Sequence, residues 1–216
     1  MTRCIALFNH GWADWEAGFV LAALREEFGF TVRIATPGGA EATSIGGVRA
    51  AADLAFAAVD PAEADLLLVI GSARWIEAED PVVSDLLRRA DAAGLVIGAI
   101  CAGTLAAARA GLLDDRPHTS NSLAFLRART PAYGGAAHYR DQPRAVSGGR
   151  LVTAPGSAPA SFAVAVLRLV APEREADIAA YAAMLGAEHA GGGAEDPFAT
   201  FGEWGAEADR RACADL

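Results

Sequence analysis

In the stretch LVIGAICAGTLAAARAGLL, residues 95 to 113, a cysteine stands where an aliphatic run gives way to an alanine-rich helical pattern. Such a joint, flanked by Gly98 and Gly103, is where a thiol can be held out for nucleophilic chemistry. A tight strand-to-helix turn exposes its central side chain, and small neighbours such as Ala102 leave the sulfur unshielded. The start of the following helix points its positive end at the sulfur, which favours thiolate by lowering the cysteine pKa. The competing reading is that Cys101 is one more small buried hydrophobe, as free cysteines often are.

The elements around it alternate strand and helix. Buried-type strands are expected at 4–8, 31–36, 65–71, 95–100 and 150–154. Helical spacing is expected over about Asp14–Glu27, Pro81–Ala93, Thr104–Ala110, Pro159–Val170 and Glu173–Leu185. Apolar strands without polar alternation are covered on both faces, so the fold expected is α/β: a doubly wound, mostly parallel sheet with helices on both faces. In such sheets ligands bind beyond the carboxyl ends of the strands, where Cys101 falls. The glycine-rich segment 38–53 reads as a small inserted hairpin. Residues 1–188 read as one domain. Residues 189–216 read as an acidic tail whose Phe198, Phe201 and Trp204 pack on their own domain or on a twin subunit.

Composition narrows the function. The chain has 216 residues, 53% apolar, with a net charge of −9. All 18 basic residues are arginines, which removes any lysine Schiff-base chemistry, and the acidity with no basic run argues against nucleic-acid binding. Cys4, Cys101 and Cys213 form no CxxC pair, so neither a disulfide scaffold nor a metal site is indicated, and no cofactor is expected. No signal-like or bilayer-length apolar run is present, so a cytoplasmic protein without membrane contact is expected.

AICAG, together with ADWEAGFVLAAL, LLLVIGS, GLLDDRPHTSNSL and SGGRLVTAPGSAPASFAVAVL in that order, resembles the ThiJ/PfpI family. That family lies within the class I glutamine amidotransferase-like superfamily, with its flavodoxin-like fold. The resemblance covers about residues 3 to 170. It implies that Cys101 is the reactive cysteine and that Glu16 reaches its sulfur, sharing a proton in a partly desolvated pocket. On the residues alone, Glu16 also fits helix-end electrostatics, with Asp14 as the N-cap. Gly71 and Ser72 match the family's glycine pair, which implies an oxyanion hole from the N–H groups of Ser72 and Ala102. Trp75 is expected over the pocket mouth, with a core or dimer-contact role as the alternative.

The sequence departs from the family at its histidine. Asn121 occupies the usual histidine position, His118 lies three residues before it, and His10 and His138 are further candidates. Asn121 cannot act as a general base at neutral pH. TAPGSAPASF lacks the histidine-x-glutamate of true glutaminases, which argues against a synthetase-coupled glutaminase. The function expected is a cysteine-dependent hydrolase or lyase acting on a small carbonyl, amide or nitrile-like substrate. The alternatives are a redox or stress-responsive protein using the same oxidisable Cys101, or a non-catalytic binding module. The partners expected are a small-molecule substrate and a second copy in a homodimer. Trp12, Trp15 and the tail aromatics are the candidate dimer anchors.

Overall fold

Nine strands form in the computed structural model, which describes residues 2–187: β1 (Arg3–Leu7), β2 (Thr31–Thr36), β3 (Ala42–Thr43), β4 (Arg49–Ala50), β5 (Leu54–Ala55), β6 (Leu66–Val69), β7 (Val96–Ile100), β8 (Val146–Gly148) and β9 (Leu151–Ala154). Seven build one sheet in the order β5-β2-β1-β6-β7-β9-β8, parallel except for β8 against β9. The chain runs outward from β1 through β2 to β5, then crosses to the other side of β1 at β6. That reversal makes the β1/β6 boundary a switch point, with a crevice at the carboxyl ends of the strands. The expected architecture is present. The tail aromatics Phe198, Phe201 and Trp204 lie outside the described residues.

Strand alternation sorts the core into two layers. Cys4, Ala6, Leu66 and Leu68 face α1 (Asp14–Ala22), α6 (Pro159–Val170) and α7 (Glu175–Gly186). Ile5, Leu7, Leu67 and Val69 face α3 (Pro81–Ala92) and α4 (Gly103–Arg109). Helix α3 begins as its sequence dictates. Asp80 accepts the N–H groups of Val82 and Val83, and Pro81 fills the first turn. Two short helices, α2 (Ala73–Glu77) and α5 (Leu123–Arg129), complete the set.

β3 and β4 pair as the expected hairpin, tied to the loop after β1 through Trp12 and Ser44. Asp14 does not cap its own helix. It lies inside the first turn of α1, and its carboxylate accepts the Ser44 hydroxyl and the Gly46 N–H, so it holds the hairpin instead. Trp12 is not an exposed anchor either: it is buried against Phe8, with ring centroids 4.3 Å apart. Trp75 does not cover the pocket. It is 1% exposed, stacks on Phe56 and donates its indole N–H to the Ile70 carbonyl at 2.8 Å. Nearly all of its large apolar area is therefore removed from water in the core, a gain that scales with the area buried.

Two glycines near the cysteine serve different neighbours. A Cβ at Gly103 would fall 2.4 Å from the Val69 carbonyl oxygen, so this glycine lets the start of α4 approach the β6 backbone. A Cβ at Gly98 would fall 2.7 Å from Leu68 Cδ2 and 2.9 Å from Phe162 Cζ, so Gly98 admits side chains rather than backbone. Gly103→Ala is expected to destabilise the protein by about 1–3 kcal/mol, because the obstructing atom is backbone and cannot swing aside. Urea unfolding of the variant against wild type measures this.

Candidate active site at the Cys101 elbow

Cys101 follows β7 with φ +56°, the one non-glycine residue of positive φ among the described residues. This sparsely populated conformation is held from both sides. The Cys101 N–H donates to the Ala154 carbonyl at 2.9 Å. Its carbonyl accepts the Thr104 hydroxyl at 2.6 Å, and that hydroxyl also lies 2.6 Å from the Ser120 hydroxyl. The turn lifts the side chain out of the strand pleat and leaves the residue partly exposed. Thr104 and Ser120 were not singled out in the sequence, where nothing separates them from other small polar residues.

Glu16 comes to the same point from the first turn of α1 and is fully buried. Its Oε2 accepts the Gly71 N–H at 2.8 Å, while Oε1 has no well-aligned partner among the described residues. The thiol is its neighbour. A Cβ on Gly156 would fall 2.8 Å from Cys101 Sγ and 3.1 Å from Glu16 Oε1. A Cβ on Gly71 would fall 2.4 Å from Oε2 and 2.9 Å from Cys101 Cβ. Two glycines thus wall a space that only carboxyl and thiol fill. Gly156, at the end of β9, was missed in the sequence. A glycine two residues past a strand end, after Pro155, was its only signal.

Burial pushes the Glu16 carboxyl up to about 7, against the opposing hydrogen bonds from Cys101 and the Gly71 N–H. Burial, then the Glu16 charge, pushes the Cys101 thiol up to about 12, against the Asn121 amide and the Ala102 N–H. The expectation that the helix start lowers the thiol pKa is therefore overturned. Desolvation and a like charge outweigh the dipole of a seven-residue helix. With both groups raised, the carboxyl ionises before the thiol, and the charge it then carries holds the thiol protonated.

Of the remaining candidates, Asn121 reaches the sulfur. Its Oδ1 accepts the Gly156 N–H at 2.9 Å, which fixes the amide so that Nδ2 donates to Sγ at 3.3 Å. Ser72 is buried beside Gly71, with its hydroxyl donated to the His10 carbonyl and accepting the Arg74 N–H. His118 is turned away from the pocket. Its Nδ1–H donates to the Arg116 carbonyl at 2.8 Å, so Nε2 accepts the Tyr133 hydroxyl, and burial lowers its pKa. A neutral imidazole wedged against Tyr133 and Tyr139 makes no bond to Cys101. His10 is exposed and its ring accepts the Thr43 N–H of the hairpin. His138 supplies only its carbonyl, to the His118 N–H. No three His, Cys, Asp or Glu side chains gather as a metal-binding group among the described residues.

Residues 2–169 match the DJ-1/PfpI family model. The chain is 35% identical over 179 residues to the uncharacterized protease YoaZ of Bacillus subtilis, covering 77% of this chain and 83% of that protein. A DJ-1 superfamily protein of Agrobacterium tumefaciens is 41% identical, with a TM-score of 0.79, over 88% of this chain and all of that one. A ThiJ/PfpI family protein of Bacillus anthracis is 28% identical, with a TM-score of 0.76, over 85% of this chain and 90% of that one. The chain belongs to the DJ-1/PfpI family.

The Glu16 carboxyl carries a pH signature. With its pKa raised from 4.5 to about 7, it contributes stability that is fully present below pH 4.5 and is lost as pH rises through 7. Glu16→Gln keeps an acceptor for the Gly71 N–H but removes the charge. The variant is expected to match wild type near pH 4.5 and to exceed it by on the order of 2 kcal/mol above pH 7.5. Urea midpoints across pH 4.5 to 8 measure the difference.

Proposed function

We propose that this DJ-1/PfpI family protein is a cysteine-dependent hydrolase or lyase acting on a small carbonyl, amide or nitrile-like electrophile. One observation carries the reading: Cys101, alone among the described non-glycine residues in a left-handed conformation, meets a fully buried carboxyl that has no other partner for one oxygen. Cys101 passes its proton to Glu16 and adds to the electrophilic carbon. The negative charge that develops on the substrate oxygen or nitrogen meets the N–H groups of Ala102 and Ser72, since the Gly71 N–H is taken by Glu16. The Asn121 Nδ2 stabilises sulfur as thiolate and again as leaving group. Glu16 then returns the proton to the departing group. The name protease carried by a Bacillus subtilis relative supports the hydrolytic side of this reading.

The missing histidine supports a second reading, in which Cys101 is an oxidisable sensor. A hydroperoxide would transfer one oxygen to the thiolate, giving sulfenic acid and an alcohol or water, with Glu16 hydrogen-bonding the product. The purified protein is to be assayed with dicarbonyls, amides, glutamine, nitriles and isonitriles, in wild type and Cys101→Ser. Turnover of one class, reduced at least ~10³-fold in Cys101→Ser, is expected. No turnover of any class, with a peroxide-dependent mass increase at Cys101, supports the sensor instead.

A further inference from the structure

Helix α1 carries Glu16, Ala17 and Val20 inward, and so turns Trp15 and Phe19, four residues apart, to its outer face. Trp15 nevertheless does not extend into solvent. Its indole N–H donates to the Gly156 carbonyl at 3.0 Å, across 141 residues of chain, while the side chain remains 50% exposed. Gly156 lies beside the sulfur, where a Cβ on it would fall 2.8 Å from Sγ, and its own N–H is held by Asn121. Trp15, Gly156 and Asn121 are therefore linked in a row of hydrogen bonds that ends on the Cys101 sulfur. That row begins in a large aromatic surface and meets the sulfur through an uncharged amide.

Charge points the same way. The side chains and N–H groups that bear on the Cys101 thiol among the described residues are those of Glu16, Ala102 and Asn121, with Gly71 and Gly156 beside it, and none of these carries a positive charge. A substrate carboxylate or phosphate would have no counter-ion here and would meet the negative charge of Glu16 in a partly desolvated space.

We infer that Trp15 forms an aromatic subsite beside Cys101, and that the site takes an uncharged electrophile carrying a flat or apolar group. This rests on Cys101 being the nucleophile. The indole N–H is already bonded to Gly156, so the ring is fixed in place before any ligand arrives. A flat group can then stack on it with little loss of side-chain freedom.

Three alkylating probes separate the possibilities: iodoacetate, iodoacetamide and N-phenyl iodoacetamide. In each, the Cys101 sulfur forms a bond to the methylene carbon as iodide leaves, and the thiol proton passes through Glu16 to water. Rates at Cys101, followed by peptide mass mapping and divided by those of a neutral model thiol, should rank phenyl first, plain amide second and carboxylate last. The phenyl preference over the plain amide is expected to be about fivefold. It should weaken but persist in Trp15→Phe, which keeps an aromatic ring without the bond to Gly156, and fall to about one in Trp15→Ala. Trp15→Leu, which keeps apolar bulk without an aromatic face, should also lose it. Circular dichroism and thermal melting verify that each variant is folded. A preference unchanged in both folded Trp15→Ala and Trp15→Leu, or iodoacetate reacting fastest, overturns the subsite. No reaction of Cys101 with any probe overturns the nucleophile reading itself, and the subsite with it.

Discussion

A carboxyl and a thiol buried in one space with no cation beside them cannot both ionise, and the site is arranged around that constraint. Two unit charges 4 Å apart repel by about 4 kcal/mol at the effective dielectric of a protein site. Desolvation raises both groups of the Glu16–Cys101 pair, and the Glu16 charge raises the thiol further, while the hydrogen bond from Cys101 pulls the carboxyl back down. The pair behaves as one acid with one mobile proton. Keeping it so requires that nothing else enter the space, which is the task of Gly71 and Gly156, where any side chain would collide with the pair.

The sheet delivers these groups from different strand ends. α1 follows β1 and brings Glu16, the end of β6 brings Gly71, the end of β7 brings Cys101, and the end of β9 brings Gly156. Parallel strands place all four ends on one side of the molecule, so a few residues beyond each strand suffice to assemble the site. The precision comes from two backbone bonds, Cys101 N–H to Ala154 and Ala13 N–H to Gly71, and from the Thr104 hydroxyl on the Cys101 carbonyl. Gly103 contributes by letting α4 begin against β6. The direction in which Cys101 points is therefore set by the packing of α4 on the sheet.

What the sequence made legible is what is local. Short runs of apolar and β-branched residues marked five of the core strands, and the joint between 95–100 and the next helix marked Cys101. Side-chain destinations were less legible, because they depend on contacts distant in sequence. Asp14 has the composition of an N-cap, yet a hairpin some thirty residues away takes its carboxylate. Trp75 follows the Gly71–Ser72 turn closely enough to suggest a pocket cover, but Phe56 and the Ile70 carbonyl draw it into the core. His118 lies in the turn expected to provide a base, and Tyr133 and the Arg116 carbonyl fix it in a neutral form away from the sulfur. Gly156 carries no mark in the sequence beyond following a strand.

Asn121, standing where the family resemblance implies a histidine, bears on the proton inventory more than on the shape. An imidazole could accept a proton and rotate; this amide does neither, because the Gly156 N–H fixes its oxygen and leaves its nitrogen to the sulfur. Under the proposed reading, every proton moved at Cys101 then passes through Glu16. Reactions that return the thiol proton to the same substrate close their balance with that single carboxyl, as when an adduct forms and collapses. A hydrolytic cycle needs Glu16 twice, first to receive the thiol proton and then, having released it to the leaving group, to activate water. With its pKa raised to about 7, Glu16 is suited to both steps near neutral pH, since neither its acid nor its base form is scarce there. Its burial, which lowers the stability of the fold above neutral pH, is thus the same property that would make it an effective proton carrier.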